Sequence, residues 1–298
     1  MRLIVLSIIL LISFESFSQR SSRWKRMRYE MFYGLGATNF LGELGGANRE
    51  GTNFVRDFEV NMTRPLVQVG IRYRALETIA IKTTLSYGRL KGDDALTGEQ
   101  FRSNRNLHFR SPLVEFSTQL EYSIIKERTG HRYNLRRVRG IKGFKTNTYF
   151  FVGVGGFWFN PRAKYDGKWY SLQPLGTEGQ GLVPTRPKYS RVSVCIPYGI
   201  GFKYSVNRRW NVGLEFGTRK TFTDYIDDVS STYYDNTLIQ QERGDVAAYL
   251  ADPSVGPPNW TAAYQQRGDT KDKDAYMFLS INLTYKLHTT RQGLPKFR

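Results

Sequence analysis

The last strand-length segment of the chain constrains the fold most. Over residues 277–288, Met277, Leu279, Ile281, Leu283, Tyr285 and Leu287 alternate with Phe278, Ser280, Asn282, Thr284, Lys286 and His288. Strict period-two alternation is the pattern of a β-strand with one apolar and one polar face. The polar face carries Lys and Asn, where a soluble core would need Leu or Val. Both faces are satisfied when lipid covers the apolar one and the polar one lines a closed barrel.

Seven further segments read as strands: 29–40, 64–74, 78–88, 112–125, 147–159, 195–206 and 209–222. Val67, Val69, Ile71 and Tyr73 share one face of the second, and Ile196, Tyr198, Ile200, Phe202 and Tyr204 one face of the sixth. The segment 147–159 is apolar or glycine on both faces, so its facing is left open. Each is long enough for the roughly 9–11 residues of a tilted membrane strand. The connections alternate in length. They are long over 41–63, 89–111, 160–194 and 223–274, short at 75–77 and 207–208, and intermediate at 126–146. Short periplasmic turns and long external loops are the rule for outer-membrane barrels. The expected fold is all-β: an eight-stranded antiparallel transmembrane up-and-down β-barrel with long extracellular loops. A mean hydropathy of −0.48 suits it, because only every second strand residue meets lipid.

The N-terminus agrees. A basic Met1-Arg2 start, an apolar run over 3–14 and the small residues Ser16 and Ser18 compose a secretory signal peptide over 1–18. The run is too short to span a bilayer, and no later segment supplies the roughly 20 apolar residues a membrane helix needs. The expected organisation is a leader (1–18), an outer-membrane barrel (19–288) and a basic periplasmic tail (289–298). The single cysteine, Cys195, forms no internal disulfide and belongs to no metal-ligand spacing.

Aromatic residues gather at the strand ends, where amphipathic rings favour the headgroup depth. Tyr29, Tyr73, Tyr122, Tyr149, Tyr204, Trp210 and Tyr285 are assigned to the periplasmic level, and Phe40, Tyr87, Trp158, Phe222 and Tyr276 to the outer level. The polar faces supply interior charges of both signs: Glu30, Arg72, Arg74, Lys82, Glu115, Glu121, Lys203, Glu215, Arg219 and Lys286. An eight-stranded barrel is just wide enough for side chains to fill, and buried charges must be paired. The expectation is a plugged, salt-bridged lumen.

The net charge of +18 is one-sided in this topology. Arg20, Arg23, Lys25, Arg26 and Arg28 precede the first strand. The intermediate turn carries Lys126, Arg128, Arg132, Arg136, Arg137, Arg139, Lys142 and Lys145 against Glu127 alone. Arg208 and Arg209 make a tight turn, and Lys286, Arg291, Lys296 and Arg298 close the chain. These positions account for nearly all of the excess. The longest external loop is acidic, with Asp224, Asp227, Asp228, Asp235, Asp245 and Asp252. A basic periplasmic surface implies an anionic partner, either phospholipid headgroups or an acidic protein docked on that turn. Nucleic acid is excluded by the compartment.

Motifs for chemistry are sparse. Of His108, His131 and His288, only His108 falls in an external loop, and no Ser or Asp is tied to it by a motif. Gly176-Thr177-Glu178-Gly179-Gln180-Gly181 lacks the Lys-Ser/Thr end of a phosphate loop and reads as a turn. Asp224, Asp227 and Asp228 either ligate a divalent cation or end a strand in solvent. Arg243-Gly244-Asp245 and Arg267-Gly268-Asp269 match an adhesion tripeptide by chance. No catalytic, cofactor-binding or metal residue is assigned.

Six stretches, GATNFLGELGG (36–46), YGRLKGDD (87–94), GGFWFNPRAK (155–164), PLGTEGQG (174–181), IPYGIGFKY (196–204) and TFTDYIDDV (221–229), run in order along the chain. Together they resemble the PorG family of outer-membrane barrels of the Bacteroidetes type IX secretion system, over nearly the whole mature chain. The resemblance implies an eight-stranded barrel without enzymatic activity or cofactor. It also implies association with the periplasmic ring of PorK (GldK) and PorN (GldN), in a machine that drives gliding motility in some species. Two alternatives stand beside it. One is a free-standing surface barrel whose loops bind a ligand or adhere. The other is a barrel hydrolase, which would need a His/Asp/Ser cluster at the loop bases.

Overall fold

A computed structural model describes residues 23–44, 62–96, 98–127, 145–257, 260–269, 272–290 and 294–296. The expected leader, Arg128, Arg132, Arg136, Arg137, Arg139 and Lys142 of the basic turn, His131, Arg291 and Arg298 lie outside the described residues.

In chain order the strands are β1 (Tyr29–Leu41), β2 (Arg64–Arg74), β3 (Ile79–Asp93), β4 (His108–Ile125), β5 (Thr146–Phe159), β6 (Arg162–Tyr165), β7 (Lys168–Ser171), β8 (Val192–Ser205), β9 (Trp210–Thr221), β10 (Ala275–Thr289) and β11 (Pro295–Lys296). Eight of them form one antiparallel wall in the order β3-β2-β1-β10-β9-β8-β5-β4, and β3 pairs with β4 to close it. The first strand pairs with the last from Tyr29↔Leu287 to Leu41↔Ala275. Closure leaves no edge strand, so the wall's ladders pair backbone groups without water, apart from a register shift between Ser123 and Ile125. Thus β6 and β7 form a hairpin above β5, and β11 folds back onto the end of β10, taking up part of the expected C-terminal tail.

Alternation in the sequence becomes inside and outside in the wall. Glu30, Phe32, Arg72, Lys82, Glu121, Glu215 and Ser280 are buried, whereas Leu35 and Ile281, register partners, are 68% and 63% exposed. The outer surface is a continuous apolar band that includes Val69, Leu85, Phe116, Leu120, Val152, Val194, Ile200 and Leu214. A band of that extent is covered by lipid in a folded protein. Among the described residues no helix is long and apolar enough to cross a membrane.

The facing of β5 is settled by glycines on its neighbours. Tyr149, Phe151, Phe157 and Phe159 point inward; Phe150, Val152, Val154 and Trp158 point outward. A Cβ on Gly201 would lie 2.2 Å from the Tyr149 ring, and one on Gly217 would lie 2.5 Å from Phe151. The rings occupy the volume that side chains on β8 and β9 would otherwise fill. Three aromatic assignments are therefore corrected. Phe40, Tyr149 and Tyr276 are buried inside the barrel and not in the girdles, because each shares strand parity with inward residues. Tyr29–Tyr73 and Trp210–Tyr285 ring pairs, with centroids 5.0 and 4.8 Å apart, mark the turn end of the band.

Local chemistry sets the turns. Asn207 Oδ1 accepts hydrogen bonds from the backbone N–H of Arg209 and Trp210, at 2.9 and 2.8 Å, holding the β8–β9 reversal. Asp166 and Gly167, with φ of 45° and 77°, supply the left-handed pair that a two-residue hairpin needs between β6 and β7.

The described parts of the long connections fold together into a cap, a difference from the loops expected there. Helices Gln100–Arg105, Leu172–Leu175, Asn236–Arg243 and Asp245–Ala251 belong to it. Its core residues Leu44, Leu107, Phe109, Ile226, Val229 and Leu250 continue into Leu66, Leu113, Phe157 and Phe278 of the barrel. Cap and wall therefore share one hydrophobic core.

Candidate functional site

The barrel lumen is filled by a two-tier charge network. At its turn-end tier Arg72 donates through Nη1 to Glu30 (3.0 Å), through Nε and Nη2 to Glu121 (3.0 and 2.9 Å) and through Nη2 to the Tyr149 hydroxyl (3.3 Å). Glu30 also meets Arg74 at 2.8 Å and Lys203 at 3.3 Å. Lys286 contacts both oxygens of Glu127, at 2.7 and 2.8 Å. Lys82 lies 2.5 Å from Glu215, which also accepts from the Tyr149 hydroxyl at 2.8 Å. Toward the cap, Glu115 accepts from Arg219 (3.3 Å), the Tyr276 hydroxyl (2.9 Å) and Ser117 (2.8 Å). Nine of the ten charges named from the sequence are buried and Arg74 is partly exposed. They pair with one another and with Glu127, which the sequence placed in the basic turn.

Burial of an unpaired charge costs several kcal/mol, so both signs must meet across the interior. Phe32, Tyr149, Phe151, Phe157 and Phe278 pack between the charges and are all nearly inaccessible.

The cap is tied by two buried arginines that sequence reasoning missed. Arg105 binds Asp94 through Nε (2.7 Å) and Nη2 (3.1 Å), and donates to the carbonyls of Arg267 (2.6 Å) and Glu43 (3.1 Å). Arg267 donates to Glu178 (3.0 Å) and to the Asp228 carbonyl (2.7 Å). Glu178 also accepts from the backbone N–H of Ser230 and Ser231. The glycine-rich stretch therefore delivers Glu178 into the cap, and the second adhesion-like tripeptide hides its arginine. The only sequence signal for these ties was the density of Asp, Gly and Arg in long connections.

Asp224, Asp227 and Asp228 are buried, which corrects the solvated alternative. They also do not converge. Asp228 turns to Thr177 and to the Tyr189 hydroxyl, 2.5 Å away, while Asp224 accepts from Ser230 Oγ at 2.7 Å. Burial raises Asp224 and Asp228 to about 6 and Asp227 to about 8. Burial, and then the neighbouring Asp227, raises Glu43 to about 9. Among the described residues no group of three or more His, Cys, Asp or Glu side chains is placed to hold a metal ion. His108 Nε2 accepts from the Lys164 backbone N–H at 2.9 Å, and its ring packs on the Trp169 edge, so its chemistry is structural. Cys195 is buried.

On the turn end, Lys126 and Lys145 flank the β4–β5 connection, and Lys126 faces Glu77 at 4.0 Å.

These features define an eight-stranded transmembrane β-barrel of the outer-membrane type, with a charge-paired lumen and a folded cap. The chain belongs to the family described as Domain of unknown function (DUF6089), which matches residues 4–248. A search of curated proteins found no matching relative. Among solved structures it is similar to the N-terminal β-barrel domain of Pseudomonas aeruginosa OprF, with 9% identity over 87% of this chain and 98% of that one, at a TM-score of 0.35. It is also similar to the attachment invasion locus protein Ail of Yersinia pestis, with 8% identity over 87% and 99%, TM-score 0.37. Neisserial surface protein A gives 9% identity over 87% and 96%, TM-score 0.37. The barrel assignment rests on the strand register and not on these likenesses.

Proposed function

We propose that this protein is a non-enzymatic outer-membrane component of the type IX secretion machinery, exported by its N-terminal leader. It anchors the periplasmic PorK/PorN (GldK/GldN) ring through its basic turn end. The observation that carries this reading is the sidedness of charge. Arg26, Arg28, Lys126, Lys145, Arg208 and Arg209 lie at the turn end, and the strongly basic segment 128–142 connects β4 to β5 there. The lumen, filled with paired charges and aromatic rings, supports it from the other side, because a barrel whose interior is occupied by its own side chains acts through its surfaces. The resemblance of the six ordered stretches supplies the partner.

Reversing Arg132, Arg136, Arg137 and Arg139 to Glu tests the docking. Affinity purification from outer membranes is expected to recover PorK and PorN with the unmodified protein and to lose them with the variant. Equal recovery would refute docking through this turn. Deletion is expected to abolish secretion of cargo bearing the C-terminal signal. Intact secretion with lost ligand binding or adhesion would favour a free-standing surface barrel. The exposed Tyr249, Val255 and Tyr264 of the cap are the surface such a barrel would use.

A further inference from the structure

The outer wall carries a second feature, independent of the turn end. Where β3, β4 and β6 leave the apolar band at the cap end, a groove of about 370 Å³ opens on the lipid-facing side. Its lining includes Tyr87, Pro112 and Trp158 below and Arg89, Arg110 and Arg162 above. Arg89 follows Tyr87 on the outward face of β3, and its register partner is Pro112. Arg110 is the register partner of Arg162. The Arg110 guanidinium lies 3.5 Å from the centroid of the Trp169 ring, which holds it in place. Arg162 donates to the Asn160 amide oxygen at 3.1 Å through both Nε and Nη2, in the orientation that satisfies that amide.

Three guanidiniums so close together repel one another. Among the described residues none of the three has a carboxylate partner; the nearest acid along β3, Asp93, is held by Lys91 at 3.0 Å. Among the described residues each lumen charge touches at least one of opposite sign, so a trio on the outside with no such contact is a departure from that pattern. Guanidinium forks match the oxygens of a phosphate and bind it with charge-assisted hydrogen bonds. The aromatic and proline floor, flush with the band, suits an occupant that has an acyl portion as well as an anionic head. A free anion would use only the upper half of the groove.

We propose that Arg89, Arg110 and Arg162 bind the phosphate of a net-anionic lipid headgroup, in preference to a zwitterionic one, in the leaflet at the cap end, with its acyl chains lying along Tyr87, Pro112 and Trp158. The proposal rests on the barrel being immersed in a bilayer and not on the docking of any ring. The lipid then fixes the depth and rotation of the cap-end rim, as basic pockets do in other membrane proteins.

Native mass spectrometry of the full-length protein in detergent micelles tests it. The probes are phosphatidic acid and phosphatidylcholine with identical acyl chains, and inorganic phosphate as competitor. The unmodified protein is expected to retain phosphatidic acid over phosphatidylcholine on the order of tenfold, about the worth of one additional charge-assisted contact. The variant R89Q/R110Q/R162Q is expected to lose that preference while keeping the heat-modifiable migration of a closed barrel. R208Q/R209Q at the opposite end is expected to keep it. Should the triple variant fail to fold, R89Q/R162Q, which spares the arginine packed on Trp169, is expected to lower the preference several-fold. Equal retention of the two lipids by the unmodified protein, or an undiminished preference in a folded variant, would overturn the proposal. Displacement of phosphatidic acid by equimolar inorganic phosphate would show an anion site only, and would overturn the lipid assignment.

Discussion

Lys82 on β3 and Glu215 on β9 meet at 2.5 Å across the barrel, from strands four places apart in the ring whichever way it is counted. Their contact spans the full bore. It couples opposite walls that share no backbone hydrogen bond, and the Tyr149 hydroxyl joins it from β5.

Removing Glu215 leaves the buried Lys82 with only Glu121, at 4.0 Å, to offset its charge. Glu215→Ala is expected to destabilise the barrel by about 3–5 kcal/mol. Lys82→Met together with Glu215→Leu is expected to recover most of that loss, since the apolar pair fills the same space. Urea unfolding in micelles, followed by intrinsic fluorescence, checks both. A double variant no more stable than the single one would show that the pair does more than neutralise itself.

The packing of Tyr149 over Gly201 makes a steric prediction. Gly201→Val drives a methyl into the ring and unseats the hydroxyl from Glu215, at a cost of about 1–3 kcal/mol or more. Gly156→Ala is the matched comparison, because nothing lies within 4 Å of the added Cβ. That change is expected to leave the unfolding midpoint unmoved. Thermal migration shifts on gels separate the two variants.

Arg105 joins three connections at the cap end, so its loss acts locally. Arg105→Ala strands the buried Asp94 carboxylate and frees the carbonyls of Glu43 and Arg267. The expected outcome is a cap cut by trypsin within 236–251 under conditions where the unmodified protein resists. The barrel keeps its heat-modifiable migration. Simultaneous loss of both would mean that cap and wall unfold as one unit.

The cap also carries a pH dependence. Glu43, Asp224 and Asp227 are raised to about 9, about 6 and about 8, chiefly by burial. Each holds its proton more tightly folded than unfolded, where such groups titrate near pH 4. Their contribution to stability is complete below that value and is lost as pH rises through 6 to 9. Hydrogen exchange in the cap, corrected for intrinsic rates, is expected to be slower at pH 5 than at pH 9. Glu43→Gln is expected to flatten the difference. A rim stabilised by alkali would contradict the protonated state.

Period-two alternation in the chain by itself determined the eight staves, their mean facing and the ten charges of the lumen, because a residue's face in a strand follows from its parity alone. Parity also should have turned Phe40 and Tyr276 inward, and position along the strand misled where parity was not applied. The β6–β7 hairpin at Asp166-Gly167 lay within a segment read only as a long connection. Only the tertiary structure decided which charges meet. Lys82 and Glu215 are separated by 133 positions, and closing the ring brings them together. The facing of β5 depended on glycines of two other strands, and the burial of Asp228 on Thr177 and Tyr189 from another connection. A strand's neighbours in sequence set its shape; what fills its inner face comes from across the barrel, and no local pattern records that distance.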